Sequence, residues 1–125
     1  MYKILLIGIG GFIGSSFRYI VSGAVQKISN QSFFPIGTLT VNLIGCFIIG
    51  FLAGLSESRQ LFSDMVRSFI FIGVLGGFTT FSTFGYESFS FLRDGQIIST
   101  LINISLHIIL GILFVWLGFS ISKIF

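Results

Sequence analysis

The chain has 125 residues and a formal net charge of +3, with 9% charged and 54% hydrophobic residues. A soluble domain carries roughly 25% charged residues, so this composition argues against a soluble globular fold, and so much apolar surface excludes intrinsic disorder. A membrane protein remains, because about 20 apolar residues span a bilayer and the length accommodates four such spans. We expect residues 1–125 to form a single transmembrane domain, with no room for a soluble catalytic domain.

Four apolar stretches follow one another along the chain, at residues 4–25, 37–55, 66–92 and 97–121. The segment 56–67 is polar and predicts a loop followed by a helix start. Loops are short, so neighbouring spans should run antiparallel. The first stretch exceeds a usual signal-peptide core and contains Arg18, which favours a span over a cleaved leader. The prediction is an all-α, multi-pass protein of the cell membrane, with the lipid bilayer as its surroundings.

The third stretch has an unusual centre. Glycines at 73, 76 and 77 are followed by FTTFSTFG at 78–85, and such residues make a poor helix centre. We predict a broken helix, with one half ending near Gly76 and the second starting near Thr80. Carbonyls and helix ends exposed at such a break can hold ions. Composition leaves a glycine-kinked continuous helix equally open, with hydroxyls bonded to its own carbonyls.

Basic residues are distributed almost evenly over the two membrane faces. One face receives four of them, Lys3, Arg59, Arg67 and Lys123. The other receives Lys27 and Arg93, and Arg18 lies nearer to that face. Orientation in the membrane depends on a clear excess of Lys and Arg, so this chain is expected to insert in both orientations. Two oppositely oriented copies could then form an antiparallel dual-topology homodimer.

Several glycines favour close packing of the helices. The pairs 10/14, 50/54 and 73/77 have small-xxx-small spacing. The glycines of residues 8–14 also resemble a dinucleotide-binding turn, but that motif needs an acidic residue about 20 positions later. The first acidic residue is Glu57, so helix packing explains these glycines better.

Two polar residues stand out in the first two spans. Arg18 is costly inside a membrane span and is either a snorkelling side chain or a cationic vestibule that draws anions toward a pore. Thr38 and Asn42 are spaced i, i+4 and share one helix face. The Asn42 amide either joins two helices or donates to an ion in a pathway.

The third and fourth spans carry further candidates. Phe81 and Phe84 point the same way, and their positive ring edges can face an anion, although ordinary packing gives the same spacing. Glu87 is a candidate proton site, a partner of Arg18 or Arg93, or a group solvated at the interface. In the fourth span, a polar stripe predicts a hydrated track or a seam between helices; its members are Ser99, Asn103 and His107, and it continues to Gly111.

Nothing in the sequence points to an enzyme. His107 is the only histidine, and none of the four acidic residues lies at metal-ligand spacing with histidine or cysteine. A hydrolase or metalloenzyme needs convergent groups of that kind. We therefore expect neither catalysis nor nucleic-acid binding.

Three segments resemble the Fluc/CrcB fluoride-channel family over the whole chain. They are GGFIGSSFRY at 10–19, GTLTVNLIG at 37–45 and GGFTTFSTF at 76–84, and their order and spacing also match. The resemblance implies antiparallel, dual-topology homodimers with two fluoride pathways. Such proteins export toxic fluoride passively and select strongly against chloride.

The resemblance also implies roles for individual residues. Asn42 would donate its amide to fluoride, and Phe81 and Phe84 would present ring edges to the ion. The carbonyls of Gly76 and Thr79, from both subunits, would bind a central structural sodium ion. Arg18 would match a vestibule arginine, and Thr38 a hydroxyl at the pathway wall. Thr80, Ser82 and Thr83 would form a hydroxyl-rich segment, and Glu87 would match an acidic residue after that segment.

One position departs from the family pattern. Members often carry serine one turn after the position of His107, where this chain has Gly111. The polar track of the fourth span is then expected to rely on Asn103, His107 or water. A small multidrug-type proton-coupled exporter is the alternative function, but it would need an acid in the first span. A non-transporting accessory subunit is a third interpretation.

Overall fold

The computed structural model describes residues 1–30, 33–59 and 62–125, and all regular secondary structure in these ranges is helical. Four helical segments are long and apolar enough to cross a membrane, Tyr2–Ile28, Ile36–Arg59, Asp64–Arg93 and Ile97–Ser122. We call them the first to fourth spans. They confirm the four predicted apolar stretches.

The polar segment 56–67 contains the predicted helix start, but its first four residues are helical and not part of a loop. Its first four residues continue the second span to Arg59, and helix resumes at Asp64, capped by the Ser63 side chain, which accepts from the Val66 amide. Gln60 and Leu61 lie outside the described residues. Charged side chains such as that of Glu57 are good helix formers, so the helix continues past the apolar run that marks the membrane.

Glycine faces bring the spans together in two pairs. The first span packs on the first half of the third, where a Cβ added at Gly10 would lie 3.0 Å from the Cα of Gly73. The second span packs on the end of the fourth, where a Cβ added at Gly50 would overlap the Val115 carbonyl. The glycine pairs at small-xxx-small spacing therefore lie at helix contacts, as predicted, because only glycine lets the backbones approach this closely.

The helical backbone of the third span is interrupted near its middle. A π-helical stretch, Ser68–Leu75, leads into a short helical turn at Gly76–Phe78. Thr79 and Thr80 are extended, with φ/ψ of −87°/160° and −151°/114°. Helix resumes over Phe81–Arg93, where the Thr80 hydroxyl caps the new helix by accepting from the Thr83 amide. Two residues of extended backbone thus leave peptide groups that other parts of the protein must satisfy.

The fourth span contains a second irregular stretch. It consists of the α-helix Ile97–Ser105, a π-helical segment Leu106–Leu110 and the α-helix Gly111–Ser122. Short π-helical segments are rare and often occur at functional sites. The π-helical segment of the fourth span contains His107 and lies beside the interrupted part of the third span.

Candidate functional site

Asn42 satisfies the extended backbone at the interruption. Its amide nitrogen donates to the carbonyl oxygen of Thr80 at 3.1 Å, and the Thr80 amide donates to Asn42 Oδ1 at 2.8 Å. The Thr80 amide, which has lost its helical acceptor, thereby gains a partner in a region where an unpaired peptide group would be costly. Asn42 therefore does join two spans, which was one of its two predicted roles.

Arg18 reaches the same interruption from the first span. Its Nη1 donates to the carbonyl oxygen of Thr79 at 3.2 Å, and the residue is half-buried. A small cavity of about 230 Å³ lies beside the guanidinium, lined by Arg18 together with hydroxyl residues such as Ser22, Thr38 and Thr83.

A larger cavity of about 370 Å³ lies between the second, third and fourth spans. Its polar and aromatic lining includes Asn42, Thr80, Phe81, Phe84 and His107. None of the described residues that line it carries a formal charge. Five of the predicted pathway residues, from three different spans, therefore lie around one neutral cavity, whereas Thr38, Ser82, Thr83 and Asn103 do not line it.

The two phenylalanine rings form one wall of this cavity. The centroids of Phe81 and Phe84 are 5.4 Å apart, with their planes tilted by 58°. Phe84 also lies against the His107 imidazole, at a centroid distance of 4.3 Å. Phe81 is 82% exposed, whereas Phe84 is half-buried. One copy of the chain thus leaves the outer ring of the pair uncovered.

Hydroxyl groups cluster where the second half of the third span begins. The Thr80 Oγ1 lies 3.3 Å from the Ser82 Oγ and donates to the Thr83 Oγ1 at 3.0 Å. Thr80 is buried, but Ser82 and Thr83 are exposed. Exposed hydroxyls therefore lie close to the middle of a 30-residue span.

Glu87 is held by Thr38. The Thr38 hydroxyl donates to Glu87 Oε1 at 2.5 Å, while Glu87 Oε2 is buried and has no hydrogen-bond partner among the described residues. Of the three alternatives predicted for Glu87, pairing with Arg18 or Arg93 is not observed, because Arg18 bonds Thr79 and Arg93 forms an ion pair with Asp94. Thr38 and Glu87 also line a cavity of about 510 Å³.

The predicted polar stripe of the fourth span divides into separate environments. Asn103 is fully buried and its amide donates to the Ser88 hydroxyl at 3.0 Å, so it lies in a seam between the third and fourth spans. His107 lines the neutral cavity, and Gly111 lines an adjacent one together with Cys46. A Cβ added at Gly111 would contact the Cys46 sulfur at 3.6 Å, an ordinary packing distance.

Sequence reasoning missed two polar residues of this region. Ser88 is 6% exposed and holds Asn103. Gln26 holds the connection between the first two spans, because its amide donates to the Phe34 carbonyl at 3.0 Å and its Oε1 accepts from the Gly37 amide at 3.0 Å. The only available signal was a polar residue near the end of an apolar run, which does not name a partner.

Side chains of the described residues do not form a metal centre: no group of three His, Cys, Asp or Glu lies together. A cation would need backbone oxygens. Gly76 fits that role, because the Thr80 amide, which an unbroken helix would aim at the Gly76 carbonyl, donates to Asn42 instead. The Thr79 carbonyl fits less well, because it already accepts from the Arg18 guanidinium.

Comparison with known proteins agrees with this arrangement. The family model described as "CrcB-like protein, Camphor Resistance (CrcB)" matches residues 5–119. A Methanosarcina barkeri protein named "Fluoride-specific ion channel FluC 3" is 48% identical, covering 98% of this chain and 91% of its own. The Methylobacillus flagellatus protein named "Fluoride-specific ion channel FluC" is 43% identical, covering 98% of this chain and 96% of its own.

A third relative is "Fluoride-specific ion channel FluC 1" of Methanosarcina acetivorans, 49% identical over 94% of this chain and 88% of its own. Matches of this extent leave no part of the four-span fold without a counterpart in the family. The chain is thus a multi-pass membrane protein that belongs to the CrcB-like, or Camphor Resistance, family.

Proposed function

We propose that this protein is a fluoride-selective ion channel, a transporter and not an enzyme, that lets toxic fluoride leave the cell passively. The observation that carries the proposal is the neutral cavity of about 370 Å³, where an amide, hydroxyls and aromatic rings meet. The names of the relatives support the same ion. The proton-coupled multidrug exporter has no such support, because the first span contains no acidic residue.

The lining of the cavity suits a small, strongly hydrated anion. A pathway must replace lost water with hydrogen-bond donors, yet binding must stay weak enough for the ion to leave. An amide nitrogen carries two hydrogens, and the bond from Asn42 to Thr80 uses one of them. The second is proposed to donate to fluoride, and the positive ring edges of Phe81 and Phe84 to contact it.

Other residues are proposed to act along the same pathway. Arg18 concentrates anions at the mouth, where its positive charge raises their local concentration. Hydroxyl groups continue the donor track, and Glu87 is an acidic group beside it. The hydroxyl residues of this track are Thr38, Thr80, Ser82 and Thr83, and the fourth span packs Asn103 and His107 alongside them.

Fluoride efflux from liposomes is the test of this function. Purified protein is reconstituted at low density, and a fluoride electrode follows release down the fluoride gradient. The expected result is rapid fluoride release that needs no proton gradient, with no chloride release under the same conditions. Fluoride release equal to that of protein-free liposomes would overturn the proposal.

A second copy of the chain is proposed to complete the site. Phe81 is 82% exposed, and Ser82 and Thr83, whose hydroxyls lie within hydrogen-bond distance of Thr80, are exposed near the middle of the third span. Lipid tails offer these residues no further hydrogen-bond partner and cannot form the wall of an anion pathway. An antiparallel homodimer with two pathways is proposed to cover this face.

The balanced basic residues support the antiparallel arrangement, because they give the chain no strong preferred orientation. Single cysteines at either end of a variant lacking Cys46 can test it. Labelling with a membrane-impermeant reagent should modify about half of the molecules at each end from outside. Labelling of one end from one side only would contradict dual topology.

We also propose a structural sodium ion at the interruption of the third span, held by backbone carbonyls of Gly76 and Thr79 from both copies. The carbonyl end of the Gly76–Phe78 turn carries the negative end of a helix dipole, which favours a cation. Bound sodium would join the two copies. Arg18 contacts the same Thr79 oxygen, so it is expected to compete with the ion there.

This competition makes the sodium proposal testable without a flux measurement. Dimer stability in detergent is measured against sodium concentration for the unchanged protein and for Arg18→Gln. The proposal expects sodium to stabilise the dimer, and the variant to need less sodium because the competing guanidinium is gone. Dimer stability that does not respond to sodium would overturn it.

A further inference from the structure

His107 is attached to its own helix through one ring nitrogen. Its Nδ1 lies 3.0 Å from the carbonyl oxygen of Asn103. A carbonyl oxygen can only accept a hydrogen bond, so Nδ1 must carry the hydrogen. The other nitrogen, Nε2, is buried and has no hydrogen-bond partner among the described residues. The imidazole therefore makes no hydrogen bond through Nε2 to any described residue.

The helix that holds His107 is in turn fastened to the third span. The Asn103 side chain is fully buried, and its amide donates at 3.0 Å to Ser88, which is 6% exposed. Ser88 lies one helical turn after Phe84 on the same segment, Phe81–Arg93. The bond between Asn103 and Ser88 therefore fixes the spacing of the two spans at the level of Phe84.

The imidazole of His107 packs against the ring of Phe84. Their centroids are 4.3 Å apart and their planes are tilted by 34°, which is a close, tilted ring contact. Phe84 also contacts Phe81, and the centroids of these two rings are 5.4 Å apart. His107, Phe84 and Phe81 thus form a row of three rings, and only the last one is largely exposed.

We propose that His107 is a positioning residue, whose imidazole forms the flat support that fixes the rotation of Phe84 toward the anion pathway. This inference rests on the proposed channel function and changes the expected role of His107 from a donor to fluoride into a support for a ring. A wall of two ring edges works only while each ring is held edge-on. Phe84 contacts two rings, Phe81 at 5.4 Å and His107 at 4.3 Å, and His107 is the nearer of the two.

Two substitutions separate the ring face from the hydrogen bond. His107→Phe keeps a flat aromatic face and loses the Nδ1 bond to Asn103, whereas His107→Gln keeps a polar side chain and loses the face. Fluoride flux is expected to stay within about twofold for His107→Phe and to fall about two- to tenfold for His107→Gln, the range that aromatic pair energies allow. Ile109→Val, at a 65% exposed position of the same π-helical segment, is the matched control and should conduct normally.

A double-substitution cycle shows whether His107 acts through Phe84. In a Phe84→Leu background, His107→Gln should change fluoride flux no further, since the ring that it supports is already gone. An additive loss in the double variant would overturn the positioning role. So would a His107→Phe protein that folds, forms dimers and conducts as poorly as His107→Gln.

A spectroscopic measurement on the unchanged protein covers the case in which the variants do not fold. The chain has a single histidine, so ¹⁵N-histidine labelling reports on His107 alone. The expected spectrum is that of an imidazole carrying hydrogen on Nδ1, with an Nε2 signal that does not move when sodium fluoride replaces sodium chloride. Hydrogen on Nε2 only, or a fluoride-dependent Nε2 shift, would show direct ion contact and overturn the proposal.

Different results would overturn the channel function and the positioning role of His107. Absence of fluoride flux in the unchanged protein overturns the channel function itself. Normal flux combined with a fluoride-sensitive Nε2, or with additive variants, leaves the channel intact and overturns only the positioning role of His107.

Discussion

Asn42 offers the sharpest test of the site, because one side chain bonds the interrupted backbone and faces the neutral cavity. Asn42→Asp keeps the acceptor for the Thr80 amide, so that bond of 2.8 Å survives. The amide nitrogen that donates to the Thr80 carbonyl at 3.1 Å becomes a second carboxylate oxygen. That hydrogen bond is lost, and two oxygen acceptors then face each other. The loss of one bond to a buried group costs about 1–3 kcal/mol of stability.

The effect on conduction should be larger than the effect on folding. A carboxylate about 4 Å from a passing fluoride ion repels it by about 4 kcal/mol at an effective dielectric constant near 20. Since each 1.36 kcal/mol changes a rate tenfold, the expected loss of fluoride flux is about a thousandfold. The assay is electrode-detected fluoride release from liposomes at neutral pH, with size-exclusion chromatography to verify folding.

Two further variants separate conduction from helix joining. Asn42→Leu removes both bonds to Thr80 and should destabilise the protein by about 1–3 kcal/mol, since the Thr80 amide loses its partner. Thr40→Val, at a half-buried position on the same span and away from the neutral cavity, is the control and should behave normally. Folded Asn42→Asp protein that releases fluoride within tenfold of the unchanged rate would refute the reasoning.

Two more outcomes follow from the packing and from the Glu87 contact. Gly14→Ala should destabilise the protein by about 1–3 kcal/mol in thermal unfolding, because the new methyl group overlaps the Val74 carbonyl; Gly23→Ala, where nothing lies within 4 Å, should not. Thr38→Val removes the hydroxyl that donates to Glu87 and should destabilise the protein by about 1–3 kcal/mol in thermal unfolding, because Glu87 Oε1 loses that donor. An unchanged unfolding temperature for Thr38→Val would show that this bond contributes nothing to stability.

Much of the fold follows from the apolar pattern alone. Each span needs about 20 apolar residues, so four such runs in 125 residues leave little choice of architecture. The helix ends were less certain, because the continuation of the second span to Arg59 consists of polar residues with ordinary helix propensity. The weak helix formers after Gly76 marked the right region of the third span, where the backbone is extended at Thr79 and Thr80.

Individual residue types also identified part of the site. An asparagine or arginine inside a membrane span is costly enough to require a purpose, and Asn42 and Arg18 both bond the interrupted backbone. The spacing of Phe81 and Phe84 placed both rings on one side of a helix, and their centroids are 5.4 Å apart. Residue type and spacing of this kind can be recognised from the sequence of a single helix.

The partners of these residues depended on the tertiary structure. Sequence suggested arginines for Glu87, but the packing of the second span against the third gives it Thr38. Sequence placed Asn103 and His107 on one track, but the rotation of the fourth span buries the first against Ser88 and sets the second against Phe84. Low charge and apolar length thus determined the four membrane spans, whereas the rotation and separation of the helices decided which polar groups meet, because a contact between spans depends on both helices together.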